Sequence, residues 1–377
     1  METLNFNCWK WLVILFWGVL NSLLLFAGEP QKDAFNESFT IQRGTNIAHW
    51  LSQSHRRGDA RQAWFTRQDV EFLAQLGCDH LRIPIDEEQM WNEEGQPEAE
   101  AFQLLNNAID WCADFGLRVI VDLHILRSHH FNVKEKPLWT DSTAQERFLD
   151  CWRELSAQLK NRPVGQVAYE LMNEAVAEEH EQWNQLIAKA VRVIRENEPN
   201  RVLVIGSNRW QIPDTFPYLK IPEKDKNILL SFHFYTPMVL THYQASWTNV
   251  KDYAGPVCYP GQIIAEKDLE GLPEDLVQAI QAHNGEFDRD ALAKIIQPAL
   301  EYAKAHQLPL YCGEWGCLQT VPSPDRLRWY ADMRSIFEEN NIAWATWNFK
   351  SSEFGIQYSS GKPDEGLIEV LFPGKSE

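Results

Sequence analysis

Eight short apolar runs rich in Val and Ile recur along this chain, six of them followed by a longer stretch with helical spacing of apolar residues. The runs cover residues 41–50, 80–86, 118–124, 167–174, 201–207, 228–235, 309–316 and 343–349. Amphipathic helices are expected over 67–75, 99–115, 143–160, 183–196, 288–306 and 324–340, with Thr66 and Asp141–Ser142 suited to cap two of them. The segments after the fifth and eighth runs are too short or too polar to assign. A strand followed by a helix-length crossover returns parallel to its predecessor, and eight such units close most economically into an α/β fold of the (β/α)8 barrel type. An open doubly wound sheet is the alternative, but no G-x-G-x-x-G follows the first run. No repeat or low-complexity linker divides the chain, so residues 29–377 read as one domain. Its longest irregular stretch, residues 236–287, is long enough to expect a functional loop.

Lys10 is followed by an uncharged stretch, residues 11–28, and then by polar EPQKDAFNES. Residues 1–28 therefore read as a secretory signal peptide, or as a signal anchor tethering the chain to a membrane through residues 11–28. Either places the globular part outside the cytosol, secreted, periplasmic or at the cell surface. The 35 Lys and Arg against 53 Asp and Glu, a net charge of −18, argue against nucleic acid as partner, because phosphate binding needs clustered positive charge. Of the six cysteines beyond the targeting segment none forms a C-x-x-C pair, so buried thiols are expected, with a Cys312–Cys317 disulfide as an open alternative. Sixteen Trp are an unusual load, which either flat rings lining a cleft or simply an aromatic-rich core would explain.

The ends of the runs carry polar groups: Arg82, Asp122 and His124, Asn173 and Glu174, His233 and Tyr235, Glu314, Trp347 and Asn348. In a barrel the carboxyl ends of the strands share one rim, so these side chains converge. Glu174 and Glu314 each end an apolar strand, where a carboxylate is costly unless paired or given a task. Two carboxyls facing each other across a sugar are what glycosidic cleavage requires, one donating a proton and the other attacking or activating water. A metal hydrolase is the competing use of these groups, but H-E-x-x-H is absent and no metal site is assigned; G-x-S-x-G is absent as well.

Taken in order, HLRIPID, VDLH, YELMNEA, SFHFYTP, YCGEWG and ATWNF resemble glycoside hydrolase family 5, the large cellulase family, over residues 39–372. The resemblance implies a retaining glycosidase needing no cofactor, with Glu174 as acid/base, Glu314 as nucleophile, and Arg82, His124, Asn173, His233, Tyr235 and Trp347 around the sugar. Arg82 would keep Glu314 ionised, Tyr235 would hold it, and Trp347 would floor the site. His49 and Trp50 on the first strand are candidate substrate contacts, each with packing as the alternative. His129, His130, Trp139, Trp210 and Trp247 are candidates for the cleft walls. The expected partner is a β-linked polysaccharide, the expected activity that of an endo-β-1,4-glucanase, and the expected state a monomer. A β-mannanase, a xyloglucanase, an exo-acting β-glucosidase or a binding-only barrel would preserve the same residues.

Overall fold

The computed structural model describes Phe35 and residues 38–374; the targeting segment expected at residues 1–28 lies outside the described residues. Eight parallel strands, β1 (Arg43–Asn46), β2 (His80–Asp86), β3 (Arg118–Ile125), β4 (Val167–Glu170), β5 (Leu203–Gly206), β6 (Ile228–Phe234), β7 (Leu310–Trp315) and β8 (Ala343–Thr346), pair in chain order, and β8 closes on β1. This is the (β/α)8 barrel expected from the alternating pattern.

Its strands read as unbroken apolar runs because both faces are covered. Along β3, Val119, Val121 and Leu123 face the helix layer, while Ile120, Asp122 and His124 alternate with them into the barrel. The interior changes character along its axis. Ile41, Ile120, Ala168, Val204, Leu229, Tyr311, Ala343 and Ala345 form an apolar plug near the strand starts. Two residues further along, Asp122, Glu170 and Ser231 take the place of Ile120, Ala168 and Leu229, all fully buried. A dry apolar floor therefore carries a polar layer.

Outside lie α1 (Arg67–Leu76), α2 (Ala99–Asp114), α3 (Ser142–Leu159), α4 (His180–Arg195), α5 (Arg289–Ile295), α6 (Gln297–His306), α7 (Ser323–Glu339) and α8 (Glu365–Leu371). Thr66 opens α1 with its N–H donated to the Asp69 carboxylate at 2.9 Å, and the Asp141 side chain accepts the Thr143 N–H at 2.8 Å, as their sequences suggest. The helix expected over 288–306 is two helices broken at Ile296. Pro298 lacks an N–H and suits the first turn of the second helix better than the interior of a continuous one. After β5 the helical layer is replaced by a 3-10 segment, Pro213–Tyr218, which carries Pro217.

The long stretch after β6 divides in two. Its first part stays at the rim, where Leu318 N–H bonds the Thr241 carbonyl. Its second part runs along the outer helix layer: Tyr259 donates its hydroxyl to Asp332 (2.7 Å) and its N–H to Asp325 (3.0 Å), both on α7, and Arg328 donates to the Tyr259 carbonyl. Ile263, Ile264 and Ile280 join the main apolar core there. Cys312 and Cys317 are separate buried thiols, so the disulfide alternative does not hold. Among the described residues no helix is long and apolar enough to cross a membrane.

Candidate active site

Arg82, on β2, is the hub of the polar layer. It has no exposed surface, and each guanidinium nitrogen is engaged: Nε with Glu170 (2.6 Å), Nη1 with Glu314 (2.7 Å) and Asn46 (2.8 Å), Nη2 with Asn173 (2.9 Å), Asp122 (3.0 Å) and Glu170 (3.1 Å). It is therefore not a substrate contact, as the resemblance had suggested. Its task is to set charge and orientation beneath the site. One cation faces three carboxyls, and burial pushes both Asp122, to about 7, and Glu170 upward, with the guanidinium opposing.

Glu314 sits near the end of β7. A register shift between Phe232 and His233 on β6 places His233 opposite it. Arg82 donates to one Glu314 oxygen and the Tyr235 hydroxyl to the other, at 3.0 Å. Burial raises the Tyr235 phenol, and the Glu314 charge raises it further, so the hydroxyl stays a donor. Glu174 lies four residues past the end of β4, with φ at 41°, a left-handed value unusual for a residue with a side chain. Its Oε1 is 3.0 Å from His233 Nδ1. One atom from each of Glu174, His233 and Glu314 falls within 4.8 Å of the other two, so the two carboxyls face each other at close range.

Their environments differ. Burial raises Glu174 well above the usual carboxyl range, and the neighbouring Glu314 charge adds to it. Glu314 is also raised by burial, but there the Arg82 guanidinium opposes the shift most strongly. The first proton bound by the pair therefore belongs on Glu174. Burial also lowers His124, to about 3, and His233, so both imidazoles are neutral. A cation could in principle use the Glu174–His233–Glu314 spacing. Both Glu314 oxygens already accept hydrogen bonds, however, and the adjacent guanidinium would repel a metal ion. The donor set suits proton transfer.

The other residues expected at the site divide. His124 Nδ1 is 2.7 Å from Asp122, and its ring lies parallel to Trp347, 5.5 Å between centroids. His124 Nε2 and Asn173 Nδ2 are buried polar atoms without a protein hydrogen-bond partner, available to meet a hydroxyl. His49 approaches Trp347 edge-on at 6.4 Å and lines a cavity of about 630 Å³ with Gln53, Arg56, Trp64, Lys350 and Glu353. Trp50 is a packing residue: it is fully buried against Phe65, its indole N–H bonded to the Arg61 carbonyl. Trp139 and His129 are likewise buried against each other, His129 accepting the Val176 N–H. His130 is half-buried beside Phe131. Trp210 and Trp247 are exposed, at 42% and 50%, and Trp247 lies edge-on to His242, which in turn meets Tyr235.

Sequence reading missed Glu170, Asn46 and Gln211. Glu170 carried a signal, a second acid in the run expected to end at Glu174; in the structure it pairs in register with Asp122. Asn46 and Gln211 carried none beyond being polar near strand ends.

Endoglucanase C of Acetivibrio thermocellus is 30% identical over 338 residues, which is 88% of this chain and 98% of that protein. Cellodextrinase A of Ruminococcus flavefaciens is 26% identical over 80% of this chain and 84% of its own length. In fold, the crystal structure of endoglucanase Cel5A from Thermotoga maritima matches with a TM-score of 0.71 at 24% identity, covering 90% of this chain and 99% of that one. The cellulase (glycosyl hydrolase family 5) model matches residues 40–353. With paired carboxyls at the strand ends of a closed barrel and the family's pattern running through nearly all of it, this chain is a glycoside hydrolase belonging to the cellulase family, glycosyl hydrolase family 5.

Proposed function

We propose that the chain is a retaining endo-β-1,4-glucanase in which Glu314 is the nucleophile and Glu174 the acid/base. The observation that carries this is the unlike pair of carboxyls: one faced by Arg82 and Tyr235, the other raised and set against His233, with oxygens within 4.8 Å. Retaining enzymes hold their carboxyls about 5–5.5 Å apart, whereas inverting enzymes leave room for a water between them.

In the first step a Glu314 oxygen attacks the anomeric carbon as the bond to the leaving oxygen breaks, and that oxygen takes the Glu174 proton. The product is a glycosyl ester on Glu314 and a carboxylate on Glu174. In the second step Glu174 removes a proton from water, whose oxygen displaces Glu314 from the anomeric carbon and restores both groups. Tyr235 and Arg82 stabilise the Glu314 carboxylate between turnovers, and His233, being neutral, can accept or donate at Glu174 without competing for its charge. Asn173 would meet the sugar 2-hydroxyl, His124 a neighbouring hydroxyl, and Trp347 the ring face. The cavity beside His49 would take a further sugar unit.

Endo action is supported by the long loop after β6, whose second part is held along α7 instead of over the strand ends. The name Endoglucanase C, borne by a relative matched along nearly its whole length, supports the glucan substrate. Export through residues 1–28, secretion or tethering, and action as a monomer belong to the same proposal. Product analysis on carboxymethylcellulose, mixed-linkage β-glucan, xyloglucan, mannan and cellobiose tests it. Mixed oligosaccharides and a rapid loss of viscosity on a β-glucan are expected. Glucose as the first product would overturn endo action, and cleavage of mannan alone would overturn the glucan assignment.

A further inference from the structure

Gln211 lies in the loop after β5 and ends a run of three residues, Arg209, Trp210 and Gln211, with φ of 57°, 60° and 55°. Left-handed backbone is disfavoured for any residue with a Cβ, and three in succession persist only when surrounding contacts hold them. Here those contacts converge on the acid/base. The Gln211 side chain turns inward and is buried; its Oε1 accepts the Glu174 N–H at 2.7 Å, and its Nε2 donates to Ser231 (3.2 Å) and Glu170 (3.3 Å). Its carbonyl accepts the His233 N–H at 3.0 Å, and the preceding Trp210 N–H donates to the Ala175 carbonyl. Gly206 makes the space, since a Cβ there would come within 2.3 Å of the Gln211 side chain.

One residue thus ties the backbone of Glu174, itself at positive φ, to the backbone of the histidine that faces its carboxyl. We propose that Gln211 is a positioning residue for Glu174, holding it in its left-handed conformation and at a fixed offset from His233 so that its proton meets the leaving oxygen. The inference rests on Glu174 as acid/base. Gln211 touches neither substrate nor reacting atoms, and acts through the aim of the proton donor, to which transfer is sensitive.

The test is a leaving-group comparison of wild type, Gln211→Leu and Glu174→Gln on phenyl and 2,4-dinitrophenyl β-cellobioside. The dinitrophenolate departs without a proton; phenolate needs one. For Gln211→Leu, kcat/KM on the phenyl glycoside is expected to fall about 10- to 100-fold, and on the dinitrophenyl glycoside by less than about threefold. A merely structural role lowers both alike, and equal loss, or no loss, overturns the proposal. Should Gln211→Leu not fold, Gln211→Asn, one methylene short of the same partners, must show the same split. Glu174→Gln should show a deeper one; if it shows none, the assignment of Glu174 is what failed, and the proposal falls with it. Crystal structures of wild type and Gln211→Leu add a readout free of turnover. The Glu174 carboxyl should leave His233 Nδ1 in the variant, and an unmoved carboxyl contradicts the proposal.

Discussion

Arg82 divides its single charge among Asp122, Glu170 and Glu314 in a layer closed to water, so it cannot be removed quietly. Arg82→Met would leave three buried carboxyls without a cation, and a loss of ~3–5 kcal/mol in unfolding free energy is expected, measurable by urea denaturation near pH 7. Acidification should recover part of that loss, because protonated carboxyls no longer need the guanidinium. Glu314→Ala is a different case, expected to keep the fold and to lose at least about 10³-fold in kcat, with azide restoring turnover to an α-glycosyl azide. The pH dependence of kcat/KM should be bell-shaped. Activity falls at low pH as Glu314 takes up a proton, and at high pH as Glu174, raised by burial and by the Glu314 charge, loses its own. A profile flat between about pH 4 and 8 would remove the pair as rate-setting groups. The two acids were legible in the sequence because each stands at the end of an apolar run. Gln211 was not, since nothing in a loop spelled SNRWQIP announces three left-handed residues in a row.

At the scale of elements, strand boundaries were legible to within a few residues because burial on both faces leaves an unmistakable apolar run. The largest errors were at β1, expected over 41–50 but ending at Asn46, and at β4, expected to extend through residue 174; at β4 regular pairing ends at Glu170, and the chain then bends to carry Asn173 onto Arg82 and Glu174 to His233. Strand propensity cannot register a bend made for a site. Trp50 shows the reverse limit: next to His49 in sequence, it packs into the apolar core against Phe65, because the chain has left β1 at Asn46 and turns there through a left-handed His49, φ 59°. The exposed Trp247 on the loop after β6 offers an element-level test. Trp247→Ala should raise KM for long glucan chains about three- to tenfold with little change in kcat, consistent with one lost stacking contact of ~1 kcal/mol. Unchanged KM on polymer and oligosaccharide alike would place Trp247 outside the cleft.

For the whole molecule, the polar layer is a stability cost accepted for chemistry. A carboxyl whose folded value is raised by burial binds its proton more tightly folded than unfolded, so stability falls as pH rises from the ordinary carboxyl value, about 4.3, through the raised one. Glu174→Gln removes that slope. Its melting temperature should exceed the wild type's near neutral pH and above, and converge with it below about pH 4, as calorimetry would show. The overall architecture was legible because eight βα units have few ways to close. The course of the loop after β6 was not, being decided by partners on α7 far away in sequence. The measurement that reaches the central claim most directly is mass spectrometry of the intact protein and its peptides after incubation with 2,4-dinitrophenyl 2-deoxy-2-fluoro-β-cellobioside. A retaining mechanism through Glu314 predicts one added fluorocellobiosyl group, located on the peptide containing Glu314 and missing from Glu314→Gln. An adduct on another residue, or steady turnover with no adduct, would contradict it.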